Sequence, residues 1–123
     1  MRITREWAES FAVEWIEAWN AHDLDRVLAH YTDDVEMSSP YVARFTGESS
    51  GGLSGKQQLR LYWQTALQKI PDLHFELLGV FAGSSSVVLH YRTNFGRLAA
   101  EVLFFNERGL VHRAAAHYAS EEK

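Results

Sequence analysis

The stretch Val87-Val-Leu-His-Tyr-Arg-Thr-Asn-Phe-Gly-Arg-Leu-Ala-Ala-Glu-Val-Leu-Phe-Phe105 decides the fold. It contains two strand-like runs, Val87 to Thr93 and Arg97 to Phe105, which are joined by Asn94-Phe-Gly96. A three-residue turn with glycine in the left-handed position joins antiparallel strands and fixes their register. We therefore expect Leu89 to pair with Glu101, and we expect alternate residues of each run to share a face of the sheet.

Two further runs extend this hairpin into a larger sheet. Leu73 to Ala82 precedes it and Leu110 to Ala119 follows it, and each is separated from it by turn residues. A short strand, Val35 to Ser38, lies earlier in the chain and ends at Pro40. The sequence thus predicts a sheet built mainly from the C-terminal half of the chain.

The N-terminal half is mainly helical. Apolar residues at helical spacing predict an amphipathic helix capped by Thr4, a short helix capped by Asp23, and a third helix from Ser54 or Gly55 to Pro71. The segment from Gly47 to Gly55 is rich in glycine and serine, and we expect it to be a mobile loop inside one domain. Helices followed by a run of strands predict one α+β domain over residues 1–123, with helices gathered on one face of an antiparallel sheet.

Composition narrows the functional classes. The 46% hydrophobic and 23% charged residues exclude a disordered chain, and no apolar run is long enough to cross a membrane. The net charge of −4 argues against a nucleic-acid partner. With no cysteine, the chain lacks disulfides and thiolate metal sites, and we expect a cytoplasmic protein. The six histidines show no metal-ligand spacing, so neither a metal nor another cofactor is expected.

A second turn assigns the two faces of the sheet. If Asn106 to Gly109 is a four-residue loop, Leu103 pairs with His112 and Glu101 with Ala114. The inner face then carries Leu89, Tyr91, Ala99, Glu101, Leu103, His112, Ala114, Ala116 and Tyr118, and the outer face carries Val88, His90, Arg92, Ala100, Val102, Phe104, Arg113, Ala115 and His117. Because the outer face is rather apolar, we expect it to form a homodimer interface. The alternative is a surface with scattered apolar residues.

The inner face predicts a cavity with a polar group at its floor. Its three alanines leave space where a packed core would hold larger residues. The aromatic share of 13% supplies candidate walls: Trp15, Trp19, Tyr31, Trp63, Tyr91 and Tyr118. An inward Glu101 is costly to bury unless it is hydrogen-bonded or protonated. We expect Glu101 and His112 to form a pair suited to proton transfer or to binding a ligand oxygen, the alternative being a purely structural pair.

Three motifs resemble a known superfamily. They are Phe11-Ala-Val-Glu-Trp-Ile-Glu-Ala-Trp-Asn-Ala-His-Asp-Leu-Asp25, Tyr31-Thr-Asp-Asp34 followed by Pro40, and Asn106-Glu-Arg-Gly-Leu-Val111. They resemble the nuclear-transport-factor-2-like (NTF2-like) superfamily, in particular its SnoaL-like and ketosteroid-isomerase-like branches. The resemblance implies a cone of curved sheet, closed by helices around a pocket and usually dimerising through the outer face of the sheet.

The resemblance also assigns functional positions. The general base of the isomerases corresponds to Ser39, their oxyanion-hole tyrosine to Trp15, and their protonated aspartate to Glu101. Only Glu101 retains the required chemistry, because an indole cannot replace a phenol and a serine is not a carboxylate. The sequence therefore argues against ketosteroid isomerisation, and it leaves Ser39 as a substrate-binding candidate.

Two functions remain open. One is cofactor-independent proton transfer, of the isomerase or cyclase type, on a ring-containing carbonyl compound, with Glu101 as acid or base and His112 or Tyr118 assisting. The other is a non-catalytic module that binds a ligand or a protein. A Glu101 hydrogen-bonded beside a reachable cavity would favour the enzyme, whereas an internal salt bridge would favour the module. In either case we expect the ligand to be a small apolar molecule with a polar oxygen.

Overall fold

A computed structural model describes residues 1–120, which form four helices and six strands. In chain order the elements are α1 (Arg5–Asn20), α2 (Leu24–Leu28), β1 (Tyr31–Ser38), α3 (Pro40–Thr46), β2 (Gly52–Ser54), α4 (Lys56–Lys69), β3 (Phe75–Ala82), β4 (Ser86–Thr93), β5 (Leu98–Phe105) and β6 (Val111–Tyr118). The α+β class predicted from the sequence is confirmed.

The six strands form one curved sheet in the order β2-β1-β6-β5-β4-β3. The three consecutive pairs from β3 to β6 are antiparallel, as predicted. The unpredicted strand β2 also pairs antiparallel with β1, but β1 runs parallel to β6. The parallel pair joins the start of the sheet to its last strand. It could not be inferred from the turns, because about 80 residues separate the two strands in sequence.

Helices α1 and α2 begin where their predicted capping residues place them. The Thr4 side chain accepts a hydrogen bond from the Trp7 N–H at 3.1 Å, and Asp23 accepts one from the Arg26 N–H at 3.2 Å. The buried face of α1 packs on β3, and α4 packs on β1. No helix among the described residues has both the length and the apolar character that a membrane span requires.

The register between β4 and β5 is confirmed. Leu89 pairs with Glu101 and Tyr91 with Ala99, and Gly96 has a φ of +87° in the turn. The Thr93 N–H donates to the Arg97 carbonyl at 2.8 Å, which closes the three-residue loop.

The register between β5 and β6 was wrong by two residues. Asn106 bonds to Leu110, so the loop has three residues instead of four, and a bulge follows between the Phe105–Val111 and Phe104–Arg113 pairs. Each irregularity shifts the pairing by one residue. The two shifts together return Ala114, Ala116 and Tyr118 to the inner face, and all nine predicted outer residues stay outside. His112 is the extra residue of the bulge and is exposed, so the predicted Glu101–His112 pair does not form.

The segment after Pro40 is more ordered than predicted. Ser39 caps α3, Pro40 occupies its first turn, and Gly47 ends it with a φ of +80°. Part of the expected loop, Gly52–Ser54, adds the edge strand β2. α3 packs against α4 and β6, where it covers one side of the space above the sheet.

Candidate functional site

A cavity of about 70 Å³ lies between the inner face of the sheet and helices α1, α3 and α4. Its lining is mainly aromatic and apolar, and it comprises Trp15, Trp19, Met37, Ser39, Tyr41, Phe45, Tyr62, Trp63, Ala66, Ile70, Leu73, Phe75, Tyr91, Thr93, Phe95, Glu101, Ala116 and Tyr118. We call Glu101, Tyr91 and Tyr118 the floor. We call Tyr41, Phe45, Ile70 and Phe95, which also border an outer groove, the mouth.

Seven of the nine residues singled out from the sequence line this cavity: Trp15, Trp19, Ser39, Trp63, Tyr91, Glu101 and Tyr118. Tyr31 does not. Its hydroxyl accepts a hydrogen bond from the Trp15 Nε1 at 3.0 Å, and its ring packs against Trp63 at 5.4 Å. Tyr31 therefore supports two wall residues from behind. His112 is the other exception, because the bulge in β6 leaves it exposed.

Sequence reasoning missed several lining residues. Tyr41 and Phe45 belong to α3, which was not predicted, although Ser39-Pro40 is a common start of a helix. Tyr62 lies next to Trp63 on α4. Phe75 is held at the start of β3 by Asn20, whose side chain bonds both the Phe75 carbonyl, at 2.9 Å, and its N–H, at 2.7 Å. Nothing in the local sequence connects Asn20 with Phe75.

Glu101 is the one buried carboxyl group among the described residues, with 4% of its surface exposed. The Tyr91 hydroxyl donates a hydrogen bond to its Oε1 at 3.2 Å, and its Oε2 has no hydrogen-bond partner within residues 1–120. No cationic group of that part of the chain lies within 4.0 Å of it. Burial raises the pKa of Glu101 to about 7, and the Tyr91 hydrogen bond offsets part of the rise.

The tyrosines around this carboxyl stay neutral. Burial raises the pKa of Tyr91 and of Tyr118, and the nearby charge of Glu101 adds to the rise. Burial also raises the pKa of Tyr62 to about 12, and its hydroxyl donates to the Ser39 Oγ at 3.4 Å. These phenols therefore keep their protons at neutral pH and serve as hydrogen-bond donors.

Trp19 adds another donor to the cavity wall. Its Nε1 is buried and has no hydrogen-bond partner among the described residues. A buried polar group without a partner costs free energy, which a ligand oxygen in the cavity could recover by accepting from the N–H. The lining thus combines an apolar surface with a few polar groups, which is typical of small-molecule sites.

Within residues 1–120 no group of three His, Asp or Glu side chains is arranged to hold a metal ion.

The sequence matches a family model, and the fold matches solved structures. The model of the SnoaL-like domain covers residues 12–121. A SnoaL-like protein of unknown function from Burkholderia thailandensis is 52% identical, with a TM-score of 0.93 over 98% of this chain and 100% of that one. No curated protein is significantly similar to the chain in sequence.

Two more distant structures share the fold alone. A protein from Kribbella flavida, provisionally assigned as a ketosteroid isomerase, is 18% identical, with a TM-score of 0.73 over 96% of this chain and 82% of that one. An NTF2-like protein of unknown function from Cytophaga hutchinsonii is 14% identical, with a TM-score of 0.67 over 97% of this chain and 93% of that one. With the family model covering most of the sequence, the chain belongs to the SnoaL-like family.

Proposed function

We propose that this SnoaL-like domain binds a small ring-containing carbonyl compound in its cavity and transfers a proton on it without a cofactor. The observation that carries the proposal is the state of Glu101. It is a buried carboxyl with a pKa raised to about 7, at the floor of a mostly aromatic cavity. One of its oxygens accepts a hydrogen bond from Tyr91, and the other has no hydrogen-bond partner among residues 1–120. A group with this pKa can both accept and return a proton near neutral pH.

The floor suits a proton shuttle. As a carboxylate, Glu101 removes a proton from the carbon next to the carbonyl, and the C–H electron pair moves into an enolate whose charge lies on the oxygen. A neutral tyrosine hydroxyl, that of Tyr118, donates a hydrogen bond to this oxygen. The protonated Glu101 then returns the proton to a carbon of the same ligand, so that no atom is gained or lost. Tyr91 positions the carboxyl through its hydrogen bond.

The absence of an ion pair supports catalysis over a purely structural role. A carboxylate neutralised by a buried cation would stay ionised at neutral pH and would be a weak base. Within residues 1–120, no Lys, Arg or His side chain pairs with Glu101. Its raised pKa instead makes the carboxylate a stronger base than an exposed glutamate.

The cavity of about 70 Å³ is smaller than the ~300 Å³ or more of typical ligand sites. A ring compound therefore needs the side chains at the mouth to move. Phe95, with 44% of its surface exposed, is the most exposed of these residues. We propose that this ring swings outward when the ligand enters.

Deuterium exchange of a small ring ketone tests the proposal. The protein is incubated with 2-cyclohexen-1-one in D2O, and the loss of the C–H signals next to the carbonyl is followed by proton NMR. We expect the wild-type protein to accelerate the exchange. Glu101→Gln should lower the exchange rate at least about tenfold, because an amide cannot carry the proton. His112→Gln is the matched control, since His112 is exposed on the bulge.

The outcomes separate the two functions that the sequence left open. Exchange that depends on Glu101 supports the enzyme. Binding of the ketone without exchange, detected as chemical-shift changes that Glu101→Gln abolishes, supports a non-catalytic ligand-binding module instead. A protein that shows neither binding nor exchange contradicts the pocket function.

We also propose that the chain forms a homodimer through the outer face of the sheet. Phe81 is 61% exposed and pairs with Val88, and Val102 and Phe104 continue this apolar face on β5. Covering such a surface with a second copy removes it from water. Light scattering after size-exclusion chromatography should give a dimer, and Val102→Lys should give a monomer. A wild-type monomer at micromolar concentration would overturn this proposal.

The cytoplasm is the compartment we propose for this protein. The chain has no cysteine, and a domain that needs no disulfide is suited to a reducing compartment. Fractionation of cells that make the tagged protein tests this. Recovery of the protein mainly outside the cytoplasm would contradict it.

A further inference from the structure

The cavity and an open groove on the surface share part of their lining. Tyr41, Phe45, Ile70 and Phe95 border both spaces, and the outer groove has a volume of about 590 Å³ against about 70 Å³ for the cavity. A ligand that places one ring against the floor therefore has the rest of its structure in the groove. The chemistry of the groove must match that outer part of the ligand.

The groove is positively charged although the chain is acidic overall. Arg44, Lys69 and Arg97 line it together with one acidic residue, Asp72, so that Arg44 and Lys69 alone against Asp72 give a local charge of 2 − 1 = +1. The whole chain has a net charge of −4. Cations are thus concentrated at the entrance of the cavity, where they attract an anion by their combined potential.

Two of these cations are held by rings and not by carboxylates. The Arg44 guanidinium lies 5.0 Å from the centre of the Tyr41 ring, and the Lys69 Nζ lies 5.8 Å from that of Phe45. Neither cation has a carboxylate oxygen of residues 1–120 within 4.0 Å, Asp72 included. Their charges remain available to a ligand, and the rings that orient them belong to the mouth of the cavity.

Arg97 connects this groove to the wall of the cavity. It donates a hydrogen bond to the Tyr41 Oη at 3.2 Å and another to the Ala119 carbonyl at 2.9 Å, and it lies 5.6 Å from the centre of the Tyr118 ring. Arg97 therefore fixes the position of Tyr41, over which Arg44 lies. Through Arg97, the groove residue Tyr41 and the floor residue Tyr118 are part of one continuous set of contacts.

We propose that the ligand carries an anionic substituent that Arg44 and Lys69 bind at the mouth while its ring occupies the cavity. This inference rests on the proposed function, because it assumes a ring bound against the floor. It narrows the class of ligand from ring-containing carbonyl compounds in general to those that also carry an anionic substituent, such as a carboxylate or a phosphate.

A matched pair of probes tests the inference. The first is 3-(4-hydroxyphenyl)propionate, whose phenol can reach the floor and whose carboxylate points outward, and the second is the neutral 3-(4-hydroxyphenyl)propionamide. Affinities are measured by calorimetry at low salt. We expect the wild-type protein to bind the acid about five- to tenfold more tightly than the amide, because two exposed cations contribute modestly to binding. Added salt should reduce this preference.

Variants at the mouth identify the source of the preference. Arg44→Gln combined with Lys69→Gln should bring the ratio of the two affinities to about one and leave the affinity for the amide unchanged. Arg108→Gln is the matched control. It removes one positive charge, as each single substitution of Arg44 or Lys69 does, from the turn between β5 and β6, at the opposite end of β5 from Phe95, about 25 Å away. It should keep the wild-type ratio.

Each outcome decides the inference. Equal affinity of the wild-type protein for acid and amide would overturn it, and so would a preference that survives the double substitution. The proposed function would still stand if binding of the amide required Glu101. Failure of both probes to bind would also overturn the inference, and the cyclohexenone exchange would then decide separately on the proposed function. A phosphonate analogue that binds more tightly than the acid would identify a phosphate-like anion, and weaker binding a carboxylate.

Discussion

At the floor of the cavity, aromatic residues surround a carboxyl group, whereas at the mouth they carry cations. Tyr91 and Tyr118 enclose Glu101, which is 4% exposed. Tyr41 and Phe45 lie under Arg44 and Lys69, whose side chains extend into the groove. Both regions are built from aromatic side chains, and α3 of the mouth packs against β6 of the floor. The two regions differ in how far water reaches their charged groups.

This difference determines what each charge can do. Away from water, the cost of ionisation raises the pKa of Glu101 to about 7, which suits it to proton transfer. At the mouth, water and salt screen the cations, which suits them to weak attraction of an anion. A change at the floor should therefore alter stability and protonation strongly, and the same kind of change at the mouth should alter them little.

Truncation of a ring should show the largest contrast. Trp15, in the cavity wall next to the floor, packs against the rings of Phe75 and the floor residue Tyr91 and is 2% exposed. Trp15→Ala should lower the free energy of unfolding by about 3–5 kcal/mol, since it creates a cavity and removes the bond to Tyr31. Phe95→Ala, at the mouth, should cost less than about 1 kcal/mol. Urea denaturation measures both, and equal losses would contradict the contrast.

The second effect is a stability that depends on pH. The pKa of Glu101 is raised from its ordinary 4.5 to about 7 in the folded state, so the folded protein holds this proton more tightly than the unfolded chain does. The stabilisation is fully present below pH 4.5 and is lost as the pH rises through about 7. The loss is on the order of 3 kcal/mol.

Glu101→Gln isolates this contribution. The amide mimics the protonated carboxyl, so the variant should lose no stability from this group between pH 5 and pH 8 (about the range in which the wild type titrates). Relative to the wild type, it should gain on the order of 3 kcal/mol over that range. Urea denaturation at each pH gives the comparison. A constant difference between the two proteins would contradict the raised pKa.

A smaller effect should follow from the loss of one hydroxyl. The Tyr91 hydrogen bond lowers the pKa of Glu101, so Tyr91→Phe should raise that pKa further and cost about 1 kcal/mol of stability. Tyr41→Phe removes a hydroxyl at the mouth, where it bonds Arg97, and should leave the Glu101 titration unchanged. NMR of the side-chain carboxyl carbon in both variants measures the shifts. A shift of similar size in each would remove the distinction between floor and mouth.

The smallest effect is expected for the cations at the mouth. Arg44→Gln and Lys69→Gln should each change the free energy of unfolding by less than about 0.5 kcal/mol, because these exposed side chains make no ion pair within the described residues. Thermal unfolding would detect a larger loss. A decrease in the free energy of unfolding of more than about 1 kcal/mol would mean that these cations stabilise the fold, and it would contradict a role in ligand binding alone.

Much of the floor could be predicted because one turn fixes it. Asn94-Phe-Gly96 sets the register of β4 and β5, which places Tyr91 and Glu101 on the inner face. The bulge at His112 could not be predicted in the same way, since an extra residue in a strand carries no fixed sequence signal. The predicted partner of Glu101 was wrong for this reason, whereas the carboxyl itself was placed correctly.

The mouth was harder to predict than the floor. It depends on α3, which is missed when Pro40 is taken only as the end of a strand. Ser39 and Gly47 nevertheless carry the signals of a helix start and end. It also depends on packing between distant parts of the chain, such as Arg97 against Tyr41. Contacts of this kind follow from the assembled fold and not from local periodicity.

The protonation of Glu101 is the central claim, and its titration is the most direct test. With glutamate labelled by carbon-13 at the side-chain carboxyl, NMR follows each carboxyl against pH, and the signal missing from Glu101→Gln identifies Glu101. We expect this signal to titrate with a midpoint of about 7. A midpoint near 4.5, the ordinary value, would show that water or an unseen partner stabilises the carboxylate, and it would contradict the account.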